Sequence, residues 1–157
     1  EIAFERLWKQ SQRQPYSVKT TEAPHYRRFV LQQRGNPLAA PAHGPLAAHP
    51  TRHRAPLGVG DGKGIMFVSH TGEIFPAGFL PLQCGRFPDN SVVDAYQNHP
   101  TFRALRDPDH FRGRCGICEY RYVCGGSRSR AYALTGDVLE SEPDCVYVPG
   151  QVPTVIV

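Results

Sequence analysis

The sequence predicts an α+β fold: a small β-hairpin and several short helices gathered round a four-cysteine site, preceded by a remnant of an α/β partial barrel. Three observations carry that expectation. Two short apolar runs, Ile65-Met66-Phe67-Val68 and Ile74-Phe75, flank a Gly-containing turn and read as a hairpin. Four of the five cysteines fall in the last third of the chain. The N-terminal stretch runs helix, β-rich segment, turn, helix, which is the rhythm of an α/β unit.

Phe4, Leu7 and Trp8 lie one turn apart, so residues 2 to about 14 read as an amphipathic helix that Pro15 ends. Tyr16 to Thr21 reads as a short strand, Glu22-Ala23-Pro24 as a turn, and His25 to about Arg34 as a second helix. Residues 1–35 thus form the first unit, the end of a larger α/β barrel or sheet. The chain opens on Glu1 inside an established helical period, and the expectation is a piece of a longer protein. Residues 36–63 are the linker: Asn36 to Gly64 holds ten Pro or Gly in 29 positions and six alanines, without any helix or strand period. Residues 64–157 form the second unit. After the hairpin, Ser91-x-x-Asp94 opens a helix through Asn98 and Pro100 starts another through about Arg106. Ser127 to Leu134 is a further short helix, and Pro143 to Val157 is extended. The chain has no internal repeat.

Composition bounds the function. With 40% hydrophobic residues in 157, the chain can bury a core and is not a disordered polymer. Gly and Pro number 15 each, 30 of 157 together, above the ordinary ~12%, so loops carry much of the fold. No apolar run approaches the ~18 residues that would cross a bilayer, which predicts no membrane partner. No basic-then-apolar leader opens the sequence, and the expected location is the cytoplasm. The net charge of +4 is mild but unevenly spread. Arg103, Arg106, Arg112, Arg114, Arg121, Arg128 and Arg130 face only Asp107, Asp109 and Glu119 in the same stretch, so a negative group is expected nearby. Five cysteines is an odd count, which argues for metal or redox chemistry rather than a secreted disulfide framework.

Cys115-Gly116-Ile117-Cys118 is followed by Cys124 after five residues and by Cys145 after a further twenty. A C-x2-C pair lets two thiolates face one centre across a tight turn; Cys124 closes a third side and Cys145 returns from beyond the helix. Four thiolates are a complete shell for zinc or for a 4Fe-4S cluster. Zinc ribbons usually carry a second C-x2-C pair, which is absent here. A four-thiolate cluster is anionic, and the surplus of Arg would offset its field. Gly125-Gly126-Ser127 permits close backbone approach, with Ser127 as N-cap of a helix aimed at the site. Both metals remain open on this evidence.

The order of motifs then resembles a known family. Gly72-Glu73-Ile74-Phe75-Pro76, Gly78-Phe79-Leu80-Pro81, Asp94-Ala95-Tyr96, Phe102-Arg103-Ala104-Leu105-Arg106, the run from Gly113 through Cys124-Gly125-Gly126-Ser127-Arg128 to Ala131-Tyr132, and Asp144-Cys145 are similar to the SPASM/twitch auxiliary-cluster domain of radical SAM enzymes, in the subset similar to haem-modifying members. The match covers roughly Gly64 to Pro149, and Pro15 to Arg34 resembles the end of that family's barrel. The resemblance implies one auxiliary 4Fe-4S cluster held by Cys115, Cys118, Cys124 and Cys145. It also implies a radical modification of a peptide or tetrapyrrole-like substrate, with the auxiliary cluster passing electrons or engaging substrate. The expected partners are a missing N-terminal radical SAM barrel, that substrate, and an electron donor such as ferredoxin or flavodoxin.

The chain also departs from the pattern. Arg128 and Ala77 stand where the family pattern has cysteines, so the ligands of a first auxiliary cluster are lost and Cys84 is left as a bystander thiol. The C-x3-C-x2-C loop that binds S-adenosylmethionine on a second 4Fe-4S cluster is absent, since the first cysteine is Cys84. The chain alone is therefore expected not to cleave S-adenosylmethionine; that cofactor and that cluster belong to the intact enzyme. Lys19, Glu22 and His25 form a secondary candidate cluster at the end of a barrel strand. His70 reads as a turn residue, while His43, His49 and His53 read as solvated linker positions; Tyr120 and Tyr122 read as packing round the cluster. The alternative is a four-cysteine zinc-ribbon-like module contacting nucleic acid or protein. It leaves the hairpin and helix order unexplained, and nucleic acid is disfavoured because the basic residues lack interleaved aromatics.

Overall fold

A computed structural model describes residues 1–16, 18–34 and 59–150 of the chain. The predicted linker residues 36–58 and the last seven residues of the predicted extended tail lie outside the described residues. The architecture is α+β: short helices and one three-stranded antiparallel sheet.

Helix α1, Ile2–Arg13, packs on α2, His25–Gln33, through the apolar period expected of it. Phe4 is the centre of the contact, its ring lying 4.8 Å from His25, 5.4 Å from Tyr26 and 5.9 Å from Phe29. Leu7, Trp8, Ala23 and Val30 close over this cluster. The strand predicted at Tyr16 to Thr21 does not form among its described residues. Thr20 instead donates to the Ala23 carbonyl at 2.8 Å, and Glu22 takes a left-handed φ of 35°. The physical reason is that β-branched residues favour a strand only beside a partner strand, and no described strand lies beside this one. The described N-terminal residues thus contribute two packed helices.

Beyond the linker, β1 (Phe67–Val68) and β2 (Glu73–Phe75) form the expected hairpin, with Phe67 opposite Phe75 and Val68 opposite Ile74. A third strand, β3 (Gly85–Arg86), adds to the other side of β2 with Ile74 opposite Gly85. Ile74, Cys84, Ala95 and Phe102 form one core, and Ala77, Leu80 and Leu105 a second that Tyr132 and Val138 cover. Helix α3, Val92–Asn98, starts on Ser91, whose hydroxyl accepts from Asp94 N at 3.3 Å. Helix α4, Pro100–Leu105, uses proline in its first turn and the His99 ring as cap. A 3-10 turn at Pro108–His110 leads into the one-turn helix α5, Gly113–Gly116. Helix α6, Arg128–Thr135, ends on the left-handed Gly136.

Residues 59–63, the described end of the predicted linker, are tied to the hairpin and to α6. Gly62 N donates to the Pro76 carbonyl at 2.8 Å, and the Asp61 carboxylate accepts from Ser129 N at 2.8 Å and Ser129 Oγ at 2.9 Å. Among the described residues no helix is long and apolar enough to cross a membrane.

Candidate metal centre

Two stretches of chain, residues 115–124 and the return at Cys145, bring Cys115, Cys118, Cys124 and Cys145 to the wall of one solvent-open cavity. Cys115 sits in α5. Cys118 follows on a turn in which its N–H faces the Cys115 carbonyl at 3.4 Å, and Cys124 N donates to the Tyr120 carbonyl at 2.8 Å. A Cβ on Gly116 would stand 2.1 Å from the Phe111 carbonyl oxygen, so only glycine lets the C-x2-C turn close. The return of Cys145 is held by Arg114, whose Nη1 donates to the Cys145 carbonyl at 2.8 Å. All four cysteines are free thiols and half-buried.

The four thiols line the cavity together with His25, Arg28 and Glu142. Among the described residues no group of three or more His, Cys, Asp or Glu is placed to hold a single metal ion. Burial pushes the Cys124 thiol up to about 12 and the Cys118 thiol up to about 11, because a thiolate would lose its water there with no cation supplied. Polar hydrogens already point at two of the sulfurs. Cys115 Sγ accepts from Glu142 N at 3.2 Å and Arg128 Nη2 at 3.4 Å, and Cys124 Sγ faces Gly126 N at 3.5 Å. Cys84 stands apart, buried in the Ile74 core with its Sγ 3.4 Å from the Leu82 carbonyl.

The start of α6 differs from the expectation of a helix N-terminus aimed at the sulfurs. Ser127 caps the helix as expected, accepting from Arg130 N at 3.3 Å. However, Ser127 N donates to the Glu142 carboxylate and Ser129 N to Asp61. A carboxylate is a far stronger acceptor than a thiol, so the first-turn amides turn to the two acids, and only Gly126 N faces a sulfur. The arginine surplus is answered in part within the protein as well: Arg121 pairs with Asp109, Arg112 with Asp137, and Arg130 with Glu142 and Asp144.

Three contributors have no signature in the sequence. Glu142, 1% exposed, accepts two bonds from Arg130, at 2.8 and 3.0 Å, and one each from Ser127 N and Asp144 N. Burial opposes ionisation of its carboxyl, but these donors outweigh it and hold the group below the usual carboxylate range. Arg28 on α2 lines the cavity and lies 4.8 Å over the Tyr147 ring. Tyr147 meets Tyr120 edge-on at 5.5 Å and donates to Glu119.

The secondary candidates divide. His25 lines the cavity, its Nδ1 buried without a hydrogen-bond partner among the described residues, and burial lowers its pKa. Glu22 joins the site's supporting frame, accepting from Ser127 Oγ at 3.0 Å while its carbonyl accepts from Arg130. Lys19 is exposed and does not line the cavity. Tyr120 is buried in the cavity wall, but Tyr122 is half-exposed, donates to Asp109 and does not line it. His70 lies exposed in the hairpin turn; His43, His49 and His53 lie outside the described residues.

No family model matches the chain. Among curated proteins, the AdoMet-dependent heme synthase of Methanosarcina barkeri is 43% identical over 137 residues, covering 85% of this chain and 37% of the relative. The AdoMet-dependent heme synthase of Oleidesulfovibrio alaskensis is 37% identical, covering 87% of this chain and 34% of that protein. The PqqA peptide cyclase of Methylocella silvestris is 32% identical over 66% of this chain and 28% of its own length. The chain therefore spans about a third of the length of the curated relatives it matches.

Proposed function

As a homologue of radical SAM enzymes that carry SPASM domains, this chain supplies, we propose, the region of such an enzyme that holds one auxiliary 4Fe-4S cluster on Cys115, Cys118, Cys124 and Cys145. The observation that carries the reading is that these four thiols, three from residues 115–124 and one returning at Cys145, line one cavity. The donor set suits the group: thiolates are the ligands such clusters take, and Gly126 N, Glu142 N and Arg128 already donate toward their sulfurs. When bound, the cluster supplies one-electron chemistry. With all four ligands coming from the chain, electron transfer is favoured over direct ligation of substrate.

The intact enzyme would add the N-terminal barrel, S-adenosylmethionine and the second 4Fe-4S cluster, with a ferredoxin or flavodoxin as electron donor. Its substrate is a tetrapyrrole rather than a peptide on this reading, because the heme synthases match more of the chain, at higher identity, than the peptide cyclases. The zinc-ribbon alternative is less well supported. Zinc ribbons usually carry a second C-x2-C pair, and this chain has one such pair, with Cys124 and Cys145 standing singly.

The test is anaerobic loading of the chain with iron and sulfide. The expected content is about four iron and four sulfide per chain, lost when Cys115, Cys118, Cys124 or Cys145 is changed to alanine and kept in Cys84→Ser. A colourless protein that retains one tightly bound zinc despite the iron supply would overturn the reading.

A further inference from the structure

We propose that Arg128 sets the reduction potential of this site: its guanidinium donates to the Cys115 sulfur and holds a buried positive charge against the cluster that this sulfur ligates. The inference rests on the cluster reading above. Arg128, the first residue of α6, is 3% exposed. Its position is over-determined. Nη1 donates to the Val138 carbonyl at 3.1 Å and to the Glu140 carbonyl at 2.7 Å, and the guanidinium carbon lies 4.6 Å over the Phe111 ring. That grip leaves Nη2 directed at Cys115 Sγ, 3.4 Å away. Gly126 keeps the approach open, because a Cβ there would stand 2.5 Å from Nη2 and 3.3 Å from Cys115 Sγ.

The charge balance points the same way. A guanidinium stays protonated throughout the pH range of a folded protein, and burying it is costly unless an anion answers it. Arg112, Arg121 and Arg130 each have a carboxylate partner. Arg128 has no carboxylate ion pair among the described residues; it touches two carbonyls, a ring and the Cys115 sulfur. Of these, only the sulfur can carry a full negative charge, and it does so as a metal ligand. A four-thiolate cluster carries about −2 when oxidised and about −3 when reduced. A fixed cation in hydrogen-bond contact therefore stabilises the reduced form more and raises the potential.

The experiment follows the reduced fraction by electron paramagnetic resonance during a redox titration of the loaded full chain, Arg128→Gln and Arg128→Lys. Take the ambient potential at which the unaltered chain is half reduced. Arg128→Gln is expected to lower the reduced-to-oxidised ratio about tenfold, which for one electron is about 59 mV, and Arg128→Lys, which keeps the charge, to fall less. Equal ratios in the unaltered chain and an Arg128→Gln protein of full iron content overturn the proposal. Arg128 also ties down the chain at Val138 and Glu140, so a second measurement leaves the residue in place. With arginine nitrogen isotopically labelled, pulsed resonance of the reduced cluster must show coupling to the label, and its absence overturns the proposal whatever the variants do. A chain that takes up no cluster overturns the cluster reading and this inference together; a loaded chain lacking both shift and coupling overturns the inference alone.

Discussion

A carboxylate sealed from water destabilises a fold unless its charge is answered, and Glu142 is answered four times, by two Arg130 nitrogens and two backbone amides. The balance of these effects leaves its pKa below the ordinary glutamate value of 4.5. A depressed carboxyl pKa contributes stability that is present above pH 4.5 and lost as pH falls below it through the folded-state value. Glu142→Gln should therefore lower stability at pH 7, by about 2 kcal/mol on the scale of a charge-assisted hydrogen bond. It should also flatten the acid limb: the difference between variant and parent shrinks as pH drops from 5 towards 3. Urea midpoints measured across that range check both. A difference that stays constant to pH 3 would mean that Glu142 is not held ionised by the fold.

At the scale of the element, α6 is the piece on which the site and the N-terminal helices converge. Ser127 Oγ accepts from Arg130 N and donates to Glu22, so one hydroxyl caps the helix and ties it to the turn before α2. Ser127→Ala should cost about 1 kcal/mol, a fall of roughly 3 °C in melting temperature, and Ser127→Thr should recover most of it. A melting curve for Ser127→Ala that overlays the parent's would remove this role. That cap was legible in the sequence, as were α1, α3 and α4, because an apolar period, a capping residue or an N-terminal proline acts within a single turn. β3 was not legible: Gly85 and Arg86 carry no apolar run, and their strand exists only because β2 offers an edge. The opposite error at Tyr16 to Thr21 has the same cause, since strand formation depends on a partner that local composition does not encode. The cysteines stood out by spacing alone. Glu142, Arg28 and Tyr147 did not, because a buried acid, a cavity-facing guanidinium and an edge-on ring acquire their roles only from residues distant in sequence, Arg28 and Tyr147 being more than a hundred positions apart.

For the whole molecule, the site is where separate pieces of chain meet. His25 and Arg28 reach its cavity from α2, Arg28 lies over Tyr147, and Arg130 donates to the Glu22 carbonyl. The β-sheet, by contrast, packs in its own core of Ile74, Cys84, Ala95 and Phe102, none of which lines the cavity. A metal centre that binds only the folded arrangement adds its binding free energy to the elements holding its ligands. It also closes the long loop between Cys124 and Cys145, whose closure entropy the metal-free chain meets with the ion pairs of Arg112 and Arg130, the packing of Tyr132 and Val138, and hydrogen bonds. Loading the cluster should therefore slow amide exchange unevenly. The greatest slowing is expected from Gly113 to Cys145, with a clear effect in α2 through Arg28 and His25, and little change at Ile74 or in α3. Hydrogen-deuterium exchange of the loaded and metal-free chain, read by mass spectrometry of its peptides, measures this directly. Equal protection of the hairpin and the site would show that the molecule opens as one unit. Protection confined to the cysteine stretch, with α2 unchanged, would show that the N-terminal helices rest against the site without sharing its stability.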